Sequence, residues 1–190
     1  MSKTRIDPNV FLYPMPMTIV GAYVEGRPNF LAVAWAARVN HDPPMIAVAL
    51  GKSHHTNAGI VENGAFSVNI PGTSMIEETD YVGLVSGKKT DKSSVFDLFY
   101  GDLDKAPMIS RCPLCMECRL SRTVDLPSNT LFIGDIVGAY AEESALTGGD
   151  PDMEKIEPFT LSMPDNSYWA VGERVGKAWS EGRKHGKKRG

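Results

Sequence analysis

Two successive prolines, Pro43 and Pro44, stand between two apolar runs and constrain how the first third of the chain can be laid out. Neither offers a backbone donor, and each pushes the preceding residue out of helix, so Asp42-Pro43-Pro44 forces an extended turn. Upstream, Phe30 to Ala37 is a continuous apolar run ended by Arg38 and Asn40. Downstream, Met45 to Leu50 is a second run, rich in Ala and Val and of strand length. Next comes Gly51-Lys52-Ser53-His54-His55-Thr56-Asn57, with one cation, two hydroxyls and two imidazoles crowded into a loop that opens a helix to about Asn63. Backbone N–H groups at a helix start, joined by hydroxyls and a lysine, suit an oxyanion such as phosphate. The same residues also read as a solvated loop before a capped surface helix, and on their own they leave both readings open.

Short strands fill much of the rest. Phe11 to Met17 is extended and broken by Pro14 and Pro16. Thr18 to Val24 is β-rich, and Glu25-Gly26-Arg27-Pro28 turns it back into Asn29 to Trp35, a first hairpin with Met45 to Leu50 expected beside it. Ala65 to Ile70, Met116 to Asp125, Thr130 to Tyr140 and Tyr168 to Val171 read as further strands, and Ser94 to Tyr100 as a brief apolar run. Met75 to Val85 sets Ile76, Tyr81, Val82 and Val85 among acids, which favours a short helix. Gly87 to Lys92 is a polar, cationic loop, and Leu146 to Pro158 reads as loop. Many short strands with Gly and Pro punctuation and few helices argue for a closed or partly closed β-barrel. A dinucleotide-binding Rossmann fold is excluded: no Gly-x-Gly-x-x-Gly joins a strand to a helix.

The ordered set of segments resembles the flavin reductase-like FMN-binding family, and within it the flavoredoxin branch. The residues that carry the resemblance are Glu25 to Asn29 leading to Trp35, Asp42-Pro43-Pro44, Gly51-Lys52-Ser53 and Phe66 to Pro71. It continues through Gly83 to Gly87 with Asp91-Lys92, Cys112-Pro113 to Glu117-Cys118, Asp125 to Asp135, and Tyr168 to Glu173. The resemblance implies a mainly β fold, a Greek-key split β-barrel with a few short helices, usually dimeric, with FMN near the subunit interface.

It also implies site residues. The phosphate of FMN would meet Lys52, Ser53, His54, His55 and Thr56. The ring would lie along the strand from Asn29 to Trp35, which brings in Asn29, Ala32, Ala34 and Trp35. Relatives often carry Ser or Thr where Ala32 and Ala34 stand, and a small hydroxyl residue where Asn40 stands. Backbone N–H groups would therefore have to serve the ring at the first two positions. Lys92 matches a position near the flavin, where a cation beside the pyrimidine end would favour the anionic hydroquinone. For Trp35 plain core packing is the other reading, and for Lys92 an exposed loop lysine. Asn69 joins the candidates because an Asn inside an apolar strand needs partners whatever its purpose.

Composition bounds the remainder. A chain of 190 residues, 42% hydrophobic and 23% charged, fits one domain, taken as residues 1–182, followed by a basic tail at 183–190. That tail holds five of the 20 Lys and Arg, so the body sets 15 cations against 23 acids. A basic tail can bind nucleic acid or an acidic partner, but with no aromatic it reads as a solvated terminus, and nucleic acid is not the expected partner. No apolar run reaches the length of a membrane span and no signal segment opens the chain, so a cytoplasmic, non-membrane protein is expected. Cys112, Cys115 and Cys118 offer three thiolates without a fourth cysteine or a nearby His, and structural thiols in a reducing compartment fit better than a metal site. No catalytic triad or carboxylate pair stands out. The expectation is a homodimeric flavin-dependent oxidoreductase or electron-transfer flavoprotein, fed by NAD(P)H or a redox protein. A flavin reductase that uses flavin as a loosely bound substrate and a non-catalytic interaction module are the alternatives.

Overall fold

A computed structural model describes residues 1–186; the end of the expected basic tail, 187–190, lies outside the described residues. The chain begins with β1 (Met15–Pro16), β2 (Thr18–Val24), β3 (Arg27–Val33), β4 (Ala36–Asn40) and β5 (Met45–Gly51), then α1 (Thr56–Asn63). β6 (Ala65–Ile70) leads to α2 (Ile76–Leu84) and to the short pair β7 (Leu98–Phe99) and β8 (Met108–Ile109). The long strands β9 (Leu114–Asp125) and β10 (Asn129–Ala141) follow. Next come β11 (Leu146–Thr147), β12 (Asp150–Pro151), α3 (Met153–Ile156), β13 (Phe159–Ser162), β14 (Ser167–Ala170) and α4 (Arg183–Gly186).

Seven strands form one sheet in the order β3-β2-β6-β9-β10-β5-β4, and a smaller sheet joins β1, β13 and β14. The fold is mainly β, a split β-barrel. The apolar run from Phe30 to Ala37, expected as one strand, is broken at Ala34 and Trp35, where the chain changes from one edge of the sheet to the other. β3 therefore ends one edge and β4 the other, so the barrel closes through two residues of chain and not through a ladder. This also corrects the neighbour of the second run: β5 pairs with β4 and β10, Ala36 opposite Val48 and Asp135 opposite Met45, and not with the first hairpin. The segment expected as loop from Leu146 holds β11, β12 and α3, where Asp152 Oδ1 accepts from the Glu154 N–H at 3.0 Å and caps the turn.

Both faces of β2 and β3 are covered, which is why these strands read as continuous apolar runs with no alternation. Val20, Leu31, Val33, Val48, Phe66, Val68 and Phe132 fill the barrel interior. On the other face Ile19 and Phe30 pack with Met75 and Val82 of the α2 region and with Met108, Ile109, Cys112 and Cys115. α2 is thereby fixed across β3, and the loop after it hangs over the N-terminal end of α1.

Candidate functional site

α1 is pressed onto the first hairpin by the absence of a side chain. A Cβ on Gly59 would stand 2.0 Å from the Tyr23 carbonyl oxygen, too close for any other residue. Asn63 Nδ2 donates to the same carbonyl at 3.0 Å from the far end of the helix. At the near end Thr56 is buried, and its Oγ1 accepts from Asn29 Nδ2 at 2.8 Å, tying the helix start to β3. No side chain caps this end and no acid lies in the first turn, so the positive end of the helix faces outward without a countercharge of its own.

The loop after α2 supplies the opposite wall. Gly87 sits so close to Asn29 that a Cβ there would fall 2.1 Å from Asn29 Oδ1. The hairpin tip touches both walls: Glu25 lies 3.9 Å from His55 Nε2, and Arg27 lies 3.5 Å from Asp91. Between the walls is a polar cavity of about 390 Å³, lined by Asn29, Ser53, His54, His55 and Thr56 on one side and Ser86, Gly87, Lys89 and Lys92 on the other.

Lys92 is only 3% exposed, and its ammonium donates to the carbonyls of Phe30 at 2.9 Å and Val82 at 2.7 Å. It is a buried bridge between β3 and α2, not an exposed loop lysine. Burial pulls its proton affinity down, to a pKa of about 8. His54 is held below the usual imidazole range, first by its own desolvation and then by the Lys92 charge, so it is neutral at pH 7 and can accept or donate one hydrogen bond.

A second cavity of about 240 Å³ shares His54 with the first. Its walls are Ala32, Val33, Ala34 and Trp35 at the break between β3 and β4, with Ala49, Leu50 and Gly51 of β5 and Asn129. Apart from His54 and Asn129, the lining here is aliphatic side chains, glycine backbone and indole. Trp35 is 48% exposed, so it forms a rim of the slot and is not a core residue.

Two candidates fall outside this arrangement. Lys52 turns away, its Nζ 2.8 Å from Asp125 Oδ1 on β9, and lines neither cavity. Asn69 is in the core: its Nδ2 donates to the Ile19 carbonyl at 2.9 Å and to Ser67 Oγ, and its Oδ1 accepts from the Ile109 N–H. Its partners are all supplied by the fold. Conversely, Ser86, Gly87 and Lys89 line the polar cavity although they are not among the candidates; the sequence marks them through the resemblance at Gly83 to Gly87 and the cationic loop from Gly87 to Lys92, while the contact of Gly87 with Asn29, far away in sequence, comes from the fold.

The three cysteines are free and buried. Cys112 Sγ lies 3.9 Å from Met75 Sδ, and Cys115 Sγ donates to the Ile109 carbonyl at 3.4 Å. Burial first, then the carboxylate of Glu117, pushes the Cys118 thiol up to about 12. These are thiols packed in a core.

Residues 10–156 match the family model described as the flavin reductase like domain, and the chain belongs to that family. Among solved structures it is similar to flavoredoxin from Methanosarcina acetivorans, 51% identical, with a TM-score of 0.96 over 97% of this chain and 100% of that one. It is also similar to flavoredoxin of Desulfovibrio vulgaris (Miyazaki F), 35% identical, TM-score 0.87, over 96% and 100% of the two chains. The protein YddH of Escherichia coli K12 is 34% identical over 155 residues, 78% of this chain and 82% of its own. These likenesses support a flavin-binding redox role. Among the described residues no helix is long and apolar enough to cross a membrane.

Proposed function

We propose that the chain, as one domain over residues 1–182, holds FMN across the two cavities joined at His54 and passes electrons from NAD(P)H or a redox protein to an acceptor. The observation that carries this reading is the pairing of a polar, donor-lined pocket with an apolar slot of strand-edge methyl groups, on either side of one imidazole. A ligand with an anionic end and a flat heteroaromatic end fits that division, and the names of the two flavoredoxins agree with it.

In this reading the first-turn N–H groups of α1, Ser53, Thr56 and Lys89 bind the phosphate. Asn29 orients Thr56 for that task. Ala32 and Ala34 leave room beside β3, so ring heteroatoms meet backbone groups and not hydroxyls. Trp35 covers one side of the slot and excludes water. Lys92 acts at a distance, as a buried positive charge that favours reduced, anionic ligand in the slot. Flavin supplies hydride and single-electron chemistry when bound, and the chain contributes no nucleophile of its own. A cytoplasmic homodimer completes the proposal, its shared face including the open apolar surface around Trp35 and Val39.

The test is an absorption spectrum of purified, desalted protein followed by anaerobic addition of NADH and of NADPH. Bands near about 375 and 450 nm, as free flavin shows, are expected. Bleaching by a nicotinamide makes the protein a reductase, and its absence makes it a carrier fed by another protein. Colourless protein that takes up added FMN weakly points to flavin as substrate. Failure to take up FMN at all overturns the reading in favour of an interaction module.

A further inference from the structure

Beyond β14 the chain leaves the barrel. Residues 171–177 have no regular structure, and among the described residues no hydrogen bond ties 172–179 to the body. This arm carries two large apolar side chains in water, Val175 and Trp179, the latter 92% exposed. Arg174 and Lys177 alternate with them. Trp179 sits in a local turn, where the Ser180 and Glu181 N–H groups donate to the Lys177 carbonyl, and its exposed indole loses apolar area to water only by lying on another surface.

At the root of the arm is a surface of matching chemistry. An apolar groove of about 530 Å³ is lined by Pro14, Pro16, Ile70, Leu114, Met153 and Phe159 among others. It continues, through Met153, Pro158 and Val171, into a cavity of about 440 Å³ that bears Glu154, Glu157 and Glu173. None of these three acids makes an ion pair among the described residues, and the one cation of α3, Lys155, is spent on the Leu146 carbonyl. The groove is therefore apolar with an acidic rim, and the arm past Glu173 is apolar with one cation before its first anchor and one between the two.

We infer that the C-terminal arm of each copy lies in this groove on a second copy, Trp179 and Val175 in the apolar floor and Arg174 and Lys177 against the rim acids. A seven-residue stretch reaches up to about 25 Å when extended, enough to cross to a neighbour. Val171 forms part of its own groove, while Trp179, 92% exposed, is not among the residues that line it. Since each copy owns one arm and one groove, a two-fold exchange satisfies both at once and closes the assembly. The inference rests on the proposed homodimer for the presence of two copies, and it adds which segment and surface lock them.

The experiment uses full-length chains. Lys177→Cys is made in one preparation and Glu154→Cys in another, and the two are mixed and oxidised; the native cysteines are buried. A disulfide-linked pair of chains is expected in the mixture and not in either preparation alone. Closure within a single chain carrying both substitutions, with no interchain product, shows that the arm occupies its own groove and overturns the inference; no product in either case also overturns it. As a second readout, Lys177→Glu should raise the dimer dissociation constant about tenfold and the added Glu154→Lys should restore it. A dimer indifferent to both changes would leave the homodimer standing and remove the arm from it. Neither measurement depends on flavin, so failure here and failure of the flavin reading are told apart.

Discussion

On one side of His54 the wall is polar and its atoms hold one another: Asn29 to Thr56, Lys92 to two carbonyls, the hairpin tip to both walls. On the other side it is alanine methyl groups and one half-exposed indole. The walls of the polar pocket are tied together by these bonds; the apolar slot is shaped by a gap in the sheet and has few directional bonds to lose. Discrimination by the anionic end of a ligand should therefore depend steeply on single residues. Tolerance at the flat end should be greater, since apolar contact varies with area and not with alignment.

The strongest way to break that contrast is Gly59→Ala. The new Cβ collides with the Tyr23 carbonyl, α1 must move, and its start carries Thr56 and His55 with it. A loss of about 3 kcal/mol in unfolding free energy is expected, with FMN binding reduced to the level of riboflavin, as urea melts and ligand titrations would show. Lys92→Met comes next, at about 2 kcal/mol, because the Phe30 and Val82 carbonyls lose their donor. Its pH signature is separate. With a folded pKa of about 8 against an ordinary 10.5, the unfolded chain binds the proton more tightly, so native stability rises as pH rises from about 8 to 10.5. Subtracting the Lys92→Met melts from those of the native chain should isolate that rise; a flat difference would place the ammonium in water.

Trp35→Ala sharpens the contrast from the other side. It should weaken FMN and riboflavin alike, by about tenfold, because the indole meets the shared ring. Unequal losses, measured by fluorescence titration, would mean that the two cavities do not divide the ligand. The smallest effect belongs to Lys52→Ala. Its ammonium is half-exposed on Asp125 and outside both cavities, so FMN affinity should change less than about twofold.

The local strands were legible where apolar runs were bounded by Gly, Pro or charge: Ala65 to Ile70 is a strand with those limits, and α1 ends at Asn63 as its loop suggested. The break at Ala34-Trp35 was not, because neither residue is a turn former and both flanking segments are apolar; the chain bends there to change sheet edges, which is a tertiary demand. Lys52 illustrates a similar limit. In sequence it sits among the hydroxyls and imidazoles of the phosphate-like loop, yet β9 brings Asp125 within 2.8 Å and turns it outward. His54, Ser53 and Thr56 are gathered as local order suggested, but Gly87 and Lys89 join them only because α2 is packed across β3. For Asn69 the sequence posed the need for partners, and the fold answered it inside the core.

The dipeptide Ala34-Trp35 also says what kind of object this barrel is. Its two edges share no ladder: a cut between those two residues would leave every rung of the seven-stranded sheet in place, with the interior packing shared by Leu31, Val33, Val48 and Leu50 left to hold the edges together. Limited proteolysis there would yield a nicked molecule that keeps its sheet and its packed interior but loses the fixed wall of its slot.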